Sequence, residues 1–224
     1  PGHFDDPFSP LVEGHTVEPS DPAPPLRIAL IGCFRPRQCG IATFTADVFD
    51  HLSAHSPNLA IDVYAMRNHS AQPVDADVKQ AIEDSDVLSY REAAEAINAS
   101  AAEAVWLQHE FGIFGGAAGD MVLELVDRIA APLIVTLHTV LADPSPAQRR
   151  VMDHLVARAS RLVVMSDHGR ATLIDVYGAA PDQIALIEHG TPDRPFQEIS
   201  ALRRTLGLAG RPVLSTFGLI GPGK

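Results

Sequence analysis

A Rossmann-like α/β fold built on a doubly wound parallel sheet is predicted by three features of the sequence. From Leu26 onward short apolar runs alternate with stretches of helical period, the runs are nearly continuous in Val, Ile and Leu, and polar residues collect just after them. Continuous apolar runs indicate strands buried on both faces, as in parallel sheets, and strand followed by helix, repeated, is the pattern that winds such a sheet.

The strands read at 26–32 (LRIALIG), 59–66 (LAIDVYAM), 86–90 (DVLSY), 104–109 (AVWLQH), 132–138 (PLIVTLH), 161–166 (RLVVMS) and 183–188 (QIALIE). Helical patterns fall between them at 42–55, 92–101, 118–130, 146–159 and 168–177. The connection 67–85 is long and polar, and no internal repeat of fixed period is visible. Residues 1–25 hold seven prolines and several acids with no apolar period, the composition of a flexible leader. Residues 26–195 then form the domain proper. After Ile187 the segment EHGTPDRPF is turn-rich; a last helix at 196–206 leads to a new strand at 212–217 and a glycine-rich turn. A strand and turn with nothing to pack on lead us to expect that residues 196–224 open a second domain, cut short in nature or by design.

Composition narrows the function. The 224 residues are 46% hydrophobic and 20% charged, with a formal net charge of −11 and a pI near 5.2. Nucleic acid is disfavoured as a partner, because binding a polyanion takes clustered Lys and Arg, and here Lys is nearly absent and Arg is scattered. The N-terminus lacks a signal-peptide pattern and no apolar run reaches about 18 residues. The expected setting is cytoplasmic, compatible with peripheral contact with a membrane surface. Cys33 and Cys39 lie six apart on a loop, too few for a disulfide framework and without further ligands for zinc, so reduced thiols are expected. No metal site is expected from the ten histidines.

In an open parallel sheet ligands bind outside the carboxyl ends of the strands. Reading off those positions gives Arg35 to Gly40, His109 with Glu110, His138 with Thr139, Ser166 to His168, and His189 with Gly190. The first turn, GCFRPRQCGIATF, has neither the G-x-G-x-x-G fingerprint nor a P-loop lysine, which counts against nicotinamide and ATP-hydrolysing chemistry. What remains is Gly40 entering a helix, where free backbone N–H groups can face a phosphate or simply make a tight turn. The loop QHEFGIFGGAAG, 108–119, holds four glycines, suited to close approach of a ligand, to a moving flap, or to a plain mobile connection. His138 ends an otherwise apolar strand. Beside His109 on a neighbouring strand it is a candidate to bind a hydroxyl or phosphate, since neutral imidazole both donates and accepts; the alternative is a hydrogen-bonded residue of the core.

As an ordered set, CGIATF, QHEFGIFGG, TLHT, RLVVMSDHGRATL and IALIEHGTPD resemble the retaining glycosyltransferases of family 4, and the terminal VLSTFGLIGPGK resembles the first strand and loop of that family's C-terminal domain. The resemblance implies the N-terminal half of a GT-B fold. It implies that Gly40 and the amide of Ile41 approach the donor diphosphate, that His138, the catalytic candidate, lies with Thr139 by the reacting sugar and acceptor, and that His109 and Glu110 stand on the acceptor side. His189 and Gly190 stand where the family commonly has Asn-Gly. Leu219 replaces the usual Arg of a Gly-Arg pair, and Lys224 matches the lysine facing the donor phosphates. The implied reaction transfers a sugar from a nucleotide-sugar donor to a carbohydrate or lipid-linked acceptor hydroxyl with retention, without a cofactor or an obligatory metal. The missing C-terminal domain is then a required partner, and the piece alone is expected to be inactive. Two other readings stay open: a non-catalytic regulatory module on the same fold, and a sugar-nucleotide epimerase.

Overall fold

The computed structural model describes residues 25–68, 74–191, 195–196 and 198–215. The leader 1–24, together with Leu219 and Lys224, lies outside the described residues. The first strand, β1 (Leu26–Cys33), is buried along its last six residues, as its uninterrupted apolar sequence demands. It pairs in parallel with β2 (Leu59–Arg67) on one side and with β4 (Ala104–His109) on the other. Beyond β2 lies the edge strand β3 (Val78–Glu83); beyond β4 lie β5 (Leu133–Leu137), β6 (Arg161–Val164) and β7 (Ile184–Leu186). The seven strands, all parallel, run in the order β3-β2-β1-β4-β5-β6-β7. The chain thus winds outward to one edge and returns to start again beside β1, leaving a switch point between β1 and β4.

Helix α1 (Gly40–His55) crosses from β1 to β2, α2 (Val87–Ala99) from β3 to β4, α4 (Pro146–Arg158) from β5 to β6, and α5 (Asp167–Asp175) from β6 to β7. Helix α4 starts at a capping box, with Ser145 and Gln148 bonding each other's backbone and Pro146 in the first turn. Between β4 and β5 the chain makes two single 3₁₀ turns and the short α3 (Val122–Val126).

Four elements differ from the sequence reading. DVLSY, expected as a strand, starts α2: the Asp86 side chain caps the helix by accepting the Leu88 N–H at 2.9 Å. The buried positions that follow, Ser89, Tyr90, Ala93, Ala94 and Ile97, have helical spacing. The third strand is instead VKQAIE, inside the segment read as a polar connection; as an edge strand it is half exposed and carries Lys79 and Gln80, which masks its apolar signal. The helix expected over 118–130 shrinks to Val122–Val126, because Ala118 and Gly119 take positive φ and break it at its start. Toward the C-terminus, α6 spans Ser200–Thr205, and residues 212–215 of the expected last strand form no strand, with no strand partner among the described residues.

The glycine-rich loop is fastened down rather than free to swing. A Cβ at Gly115 would overlap the Asp84 carbonyl oxygen, and one at Gly119 would press on the Phe111 carbonyl. Tyr90 Oη donates to the same Asp84 carbonyl at 2.9 Å and accepts the Gly115 N–H at 3.1 Å. The loop therefore needs these glycines for its own packing. Substituting Gly115→Ala should cost about 2 kcal/mol in chemical denaturation, while Gly112→Ala, with open space around it, should leave the midpoint nearly unchanged; equal effects would contradict this packing.

Candidate functional site

The side chains at the switch point are sorted by the pleat. In the β4–β5 register Gln108 lies beside Thr136 and His109 beside Leu137. His109 thus shares a face with Leu107, Val135 and Leu137, and His138, two residues past Thr136, falls on the opposite face with Gln108. The backbone joins them, since the His138 N–H donates to the His109 carbonyl at 3.0 Å, but the two rings do not face one ligand.

His109 is completely buried, its ring edge-on to Phe111 at 5.0 Å and stacked near Phe114 at 5.8 Å. Neither ring nitrogen has a partner among the described residues. Burial pushes its pKa down to about 3, with His138 adding a smaller effect in the same direction, so the ring stays neutral. Expected as an exposed group at the strand tip, His109 is instead part of the core.

His138 is the residue at the rim. Its Nε2 lies 3.0 Å from Gln108 Oε1. With the amide so oriented, Nε2 carries the proton and Nδ1 is left as an acceptor. Desolvation, with a smaller contribution from the nearby His189, lowers its pKa to about 4, so the ring is uncharged at neutral pH. Gln108 is itself fully buried, its Nε2 unpartnered among the described residues. A Cβ at Gly32 would press to 2.9 Å from Gln108 Cβ, so Gly32 makes room for the amide that orients His138.

Helix α1 supplies the other wall. Phe44 packs edge-on against His138 at 4.8 Å and against His189 at 5.3 Å, tying the end of β5 to the loop after β7. Gly40, four residues before Phe44, lies on the same side of α1. Its φ is not positive and no atom lies within 4 Å of where its Cβ would be, so neither conformation nor packing in the chain requires glycine there. The amides of Ile41 and Ala42 turn toward the Sγ of Cys39, the N-cap, and Ala42 N donates to it at 3.3 Å. His189 is exposed, with Nδ1 2.7 Å from the Gly190 carbonyl oxygen.

Glu110 and Thr139 bind each other: Thr139 Oγ1 donates to Glu110 Oε2 at 2.5 Å, and Glu110 Oε1 accepts the Phe111 N–H at 2.9 Å. The pair clamps the tip of β4 to that of β5. Ser166 caps α5 by accepting the Gly169 N–H at 3.1 Å. Arg35 turns away from the rim to Asp50, Asp75 and Asp77, at 2.8, 3.2 and 2.6 Å. A shallow cleft beside it, lined in part by Phe34, Arg37, Met66, Arg67 and Val78, opens at the ends of β1 and β2. Lys224, expected on the phosphates, lies outside the described residues. Among the described residues no three metal-ligating side chains gather, and no helix is long and apolar enough to cross a membrane.

The sequence reading singled out His138, His189 and Gly40; the structure packs the two histidines on the ring of Phe44, one helical turn after Gly40. It missed Phe44 and Gln108, which do the gathering. Helical spacing from Gly40 carries a signal for Phe44; that of Gln108 lies only in the strand register.

Sheet order and crossovers define a Rossmann-like α/β unit, the fold also found in GT-B glycosyltransferase structures. A glycosyltransferase from Rickettsia africae matches with a TM-score of 0.59 at 13% identity, over 82% of this chain and 50% of that one. A sucrose-phosphate synthase from Thermosynechococcus elongatus matches with a TM-score of 0.52 at 14% identity, over 81% of this chain and 95% of that one. An α-glucosyltransferase solved with UDP and a 13-mer DNA matches at 0.50 and 14%, over 74% and 42%. At such identities these likenesses bear on the fold. In sequence, an alignment 113 positions long that covers 44% of this chain is 33% identical to a protein named D-inositol 3-phosphate glycosyltransferase from Nocardia farcinica. The chain spans about a quarter of the length of the curated relatives it matches, 25% in that case. No family model matches the sequence.

The neutral state of His109 has a measurable signature. A free histidine titrates near 6.5, and the folded value is about 3. Above pH 6.5 both states are neutral and the stabilisation is fully present. As pH falls from about 6.5 toward 3, the unfolded chain takes up a proton that the folded chain refuses, and stability is lost at up to about 1.4 kcal/mol per pH unit. Comparing denaturation at pH 6.5 and 5, the wild type should lose about 2 kcal/mol more than His109→Phe. Parallel losses would show that His109 is protonated in the fold.

Proposed function

We propose that this chain is the acceptor-side part of a glycosyltransferase that moves a sugar from a nucleotide-sugar donor to an acceptor hydroxyl with retention. In this reading residues 26–195 form the N-terminal domain, and residues 196–224 lead into a C-terminal domain that completes the cleft. The observation that carries it is the placement of a neutral imidazole, His138, at the end of β5, one strand from the sheet's switch point, oriented by Gln108 and packed on Phe44 in the first turns of α1. The relative named a glycosyltransferase and the glycosyltransferase folds support the class.

With a pKa near 4, His138 is a poor proton carrier at neutral pH and a good fixed hydrogen-bonding group. It is suited to hold a hydroxyl of the transferred sugar or acceptor, and the charge of the departing diphosphate falls to backbone amides and to the second domain. Gly40 is the natural place for close approach of the diphosphate, since the chain has no other need for glycine at that position. Thr139 and Glu110 contribute to the acceptor side by fixing the loop around His138, and His189 with Gly190 borders the donor through its contact with Phe44. Lys224 is assigned to the donor phosphates by its family match alone. No metal is required by this scheme. The cleft lined by Arg37 suits a polar acceptor, a carbohydrate or the headgroup of a lipid-linked one. Phe196 and Leu214, 94% and 101% exposed, are apolar side chains of the segment assigned to the domain boundary and fit burial against another domain.

In the complete protein His138→Ala should lower kcat on the order of tenfold to a hundredfold, and the wild-type rate should show no inflection near pH 6.5 from this residue. An unchanged kcat would favour a non-catalytic module. Gly40→Ala should leave stability within about 0.5 kcal/mol and raise KM for the nucleotide sugar. If a panel of nucleotide sugars gave neither turnover nor binding, the proposal would fail.

A further inference from the structure

The two cysteines are brought together by the turn between β1 and α1. Cys33 is the last residue of β1, fully buried, and Cys39 is the half-buried N-cap of α1. The five residues between them double back: the Arg37 N–H donates to the Phe34 carbonyl at 3.1 Å and the Cys39 N–H to the Arg37 carbonyl at 3.2 Å. The two side chains come close enough to interact, with the side chain of Arg37 as the nearby cation and Asp84 as the nearby anion. Cys39 is half-buried, its sulfur accepting the Ala42 N–H at the start of a helix of 16 residues, and Cys33 is fully buried.

We propose that Cys33 and Cys39 are a peroxide-reactive pair, Cys39 the attacking sulfur and Cys33 the resolving one, closing a reversible disulfide beside Gly40. This stands on the thiol pair alone and not on the glycosyltransferase reading. Cys39 Sγ forms a bond to one peroxide oxygen as the O–O bond breaks, giving a sulfenic acid and hydroxide. Cys33 Sγ then attacks Cys39 Sγ; the S–S bond forms, the S–O bond breaks, and the hydroxyl leaves as water with the Cys33 proton. Two sulfurs are oxidised and the peroxide oxygens are reduced. The hydrogen bond from Cys33 and the helix amides hold the Cys39 thiol down at about 6, which supplies the thiolate at neutral pH, while burial and the same contact push Cys33 up, as suits the group that gives up its proton later.

The test is made on the whole chain. After treatment with hydrogen peroxide at neutral pH, titration of free thiols should fall from two to none, and peptide mapping without reductant should recover one fragment linking Cys33 to Cys39, reversed by dithiothreitol. Iodoacetamide should alkylate Cys39 with a half-maximal rate near pH 6, and Cys33→Ser should accumulate a dimedone-trappable sulfenic acid on Cys39. Thiols that survive peroxide, a disulfide found only between two chains, or wild-type Cys39 carried to sulfinic acid with Cys33 still free would each overturn the proposal. The mapping of the wild type decides the matter even if the serine variant does not fold.

Discussion

The register of β4 against β5 is the constraint on which the site depends. Because Gln108 lies beside Thr136 and His109 beside Leu137, one histidine is forced into the core and the other onto the face of α1. A slip of one residue would exchange every side chain between the faces, turning Gln108 to the face that now holds His109 and His109 to the face of α1. Parallel pairing with buried neighbours on both sides holds the register, and Glu110 with Thr139 locks it at the tip. The cost of that arrangement is visible in His109, a polar ring with no hydrogen-bond partner among the described residues, kept neutral because an interior charge would be far more costly.

The second anchor is the start of α1. Cys39 caps the helix, Gly40 leaves space open above it, and Phe44 one turn later bridges His138 and His189. Phe34 and Phe49 meet edge to face at 5.6 Å beneath the guanidinium of Arg35, which is itself held by three aspartates. The turn before α1 is therefore fixed from outside as well as inside. A site made from the ends of strands and the first turn of one helix needs this rigidity, since a displacement near 1 Å is enough to spoil the alignment of a hydrogen bond to a substrate.

Much of the fold was legible because buried parallel strands write a strong pattern. Six of the seven strands stand where continuous Val, Ile and Leu runs put them, and the third failed for a physical reason: an edge strand alternates and carries charge, while an Asp cap followed by helical burial spacing outweighs a short apolar run. The glycine-rich loop shows the opposite failure. Four glycines read as freedom, yet Gly115 and Gly119 are there because the backbones of Asp84 and Phe111 come too close for a side chain.

The sequence by itself determined the α/β class, the location of the polar rim at the strand ends, and the presence of His138, His189 and Gly40 on it, because each follows from local apolar period and from where a parallel sheet exposes its ends. Only the tertiary structure decided which of those residues meet. Whether His109 joins His138 or turns away, whether Glu110 faces a ligand or Thr139, and which ring gathers the histidines depend on strand register and on the angle of α1 across the sheet. These are relations between residues about 30 to 150 positions apart, and no local pattern encodes them.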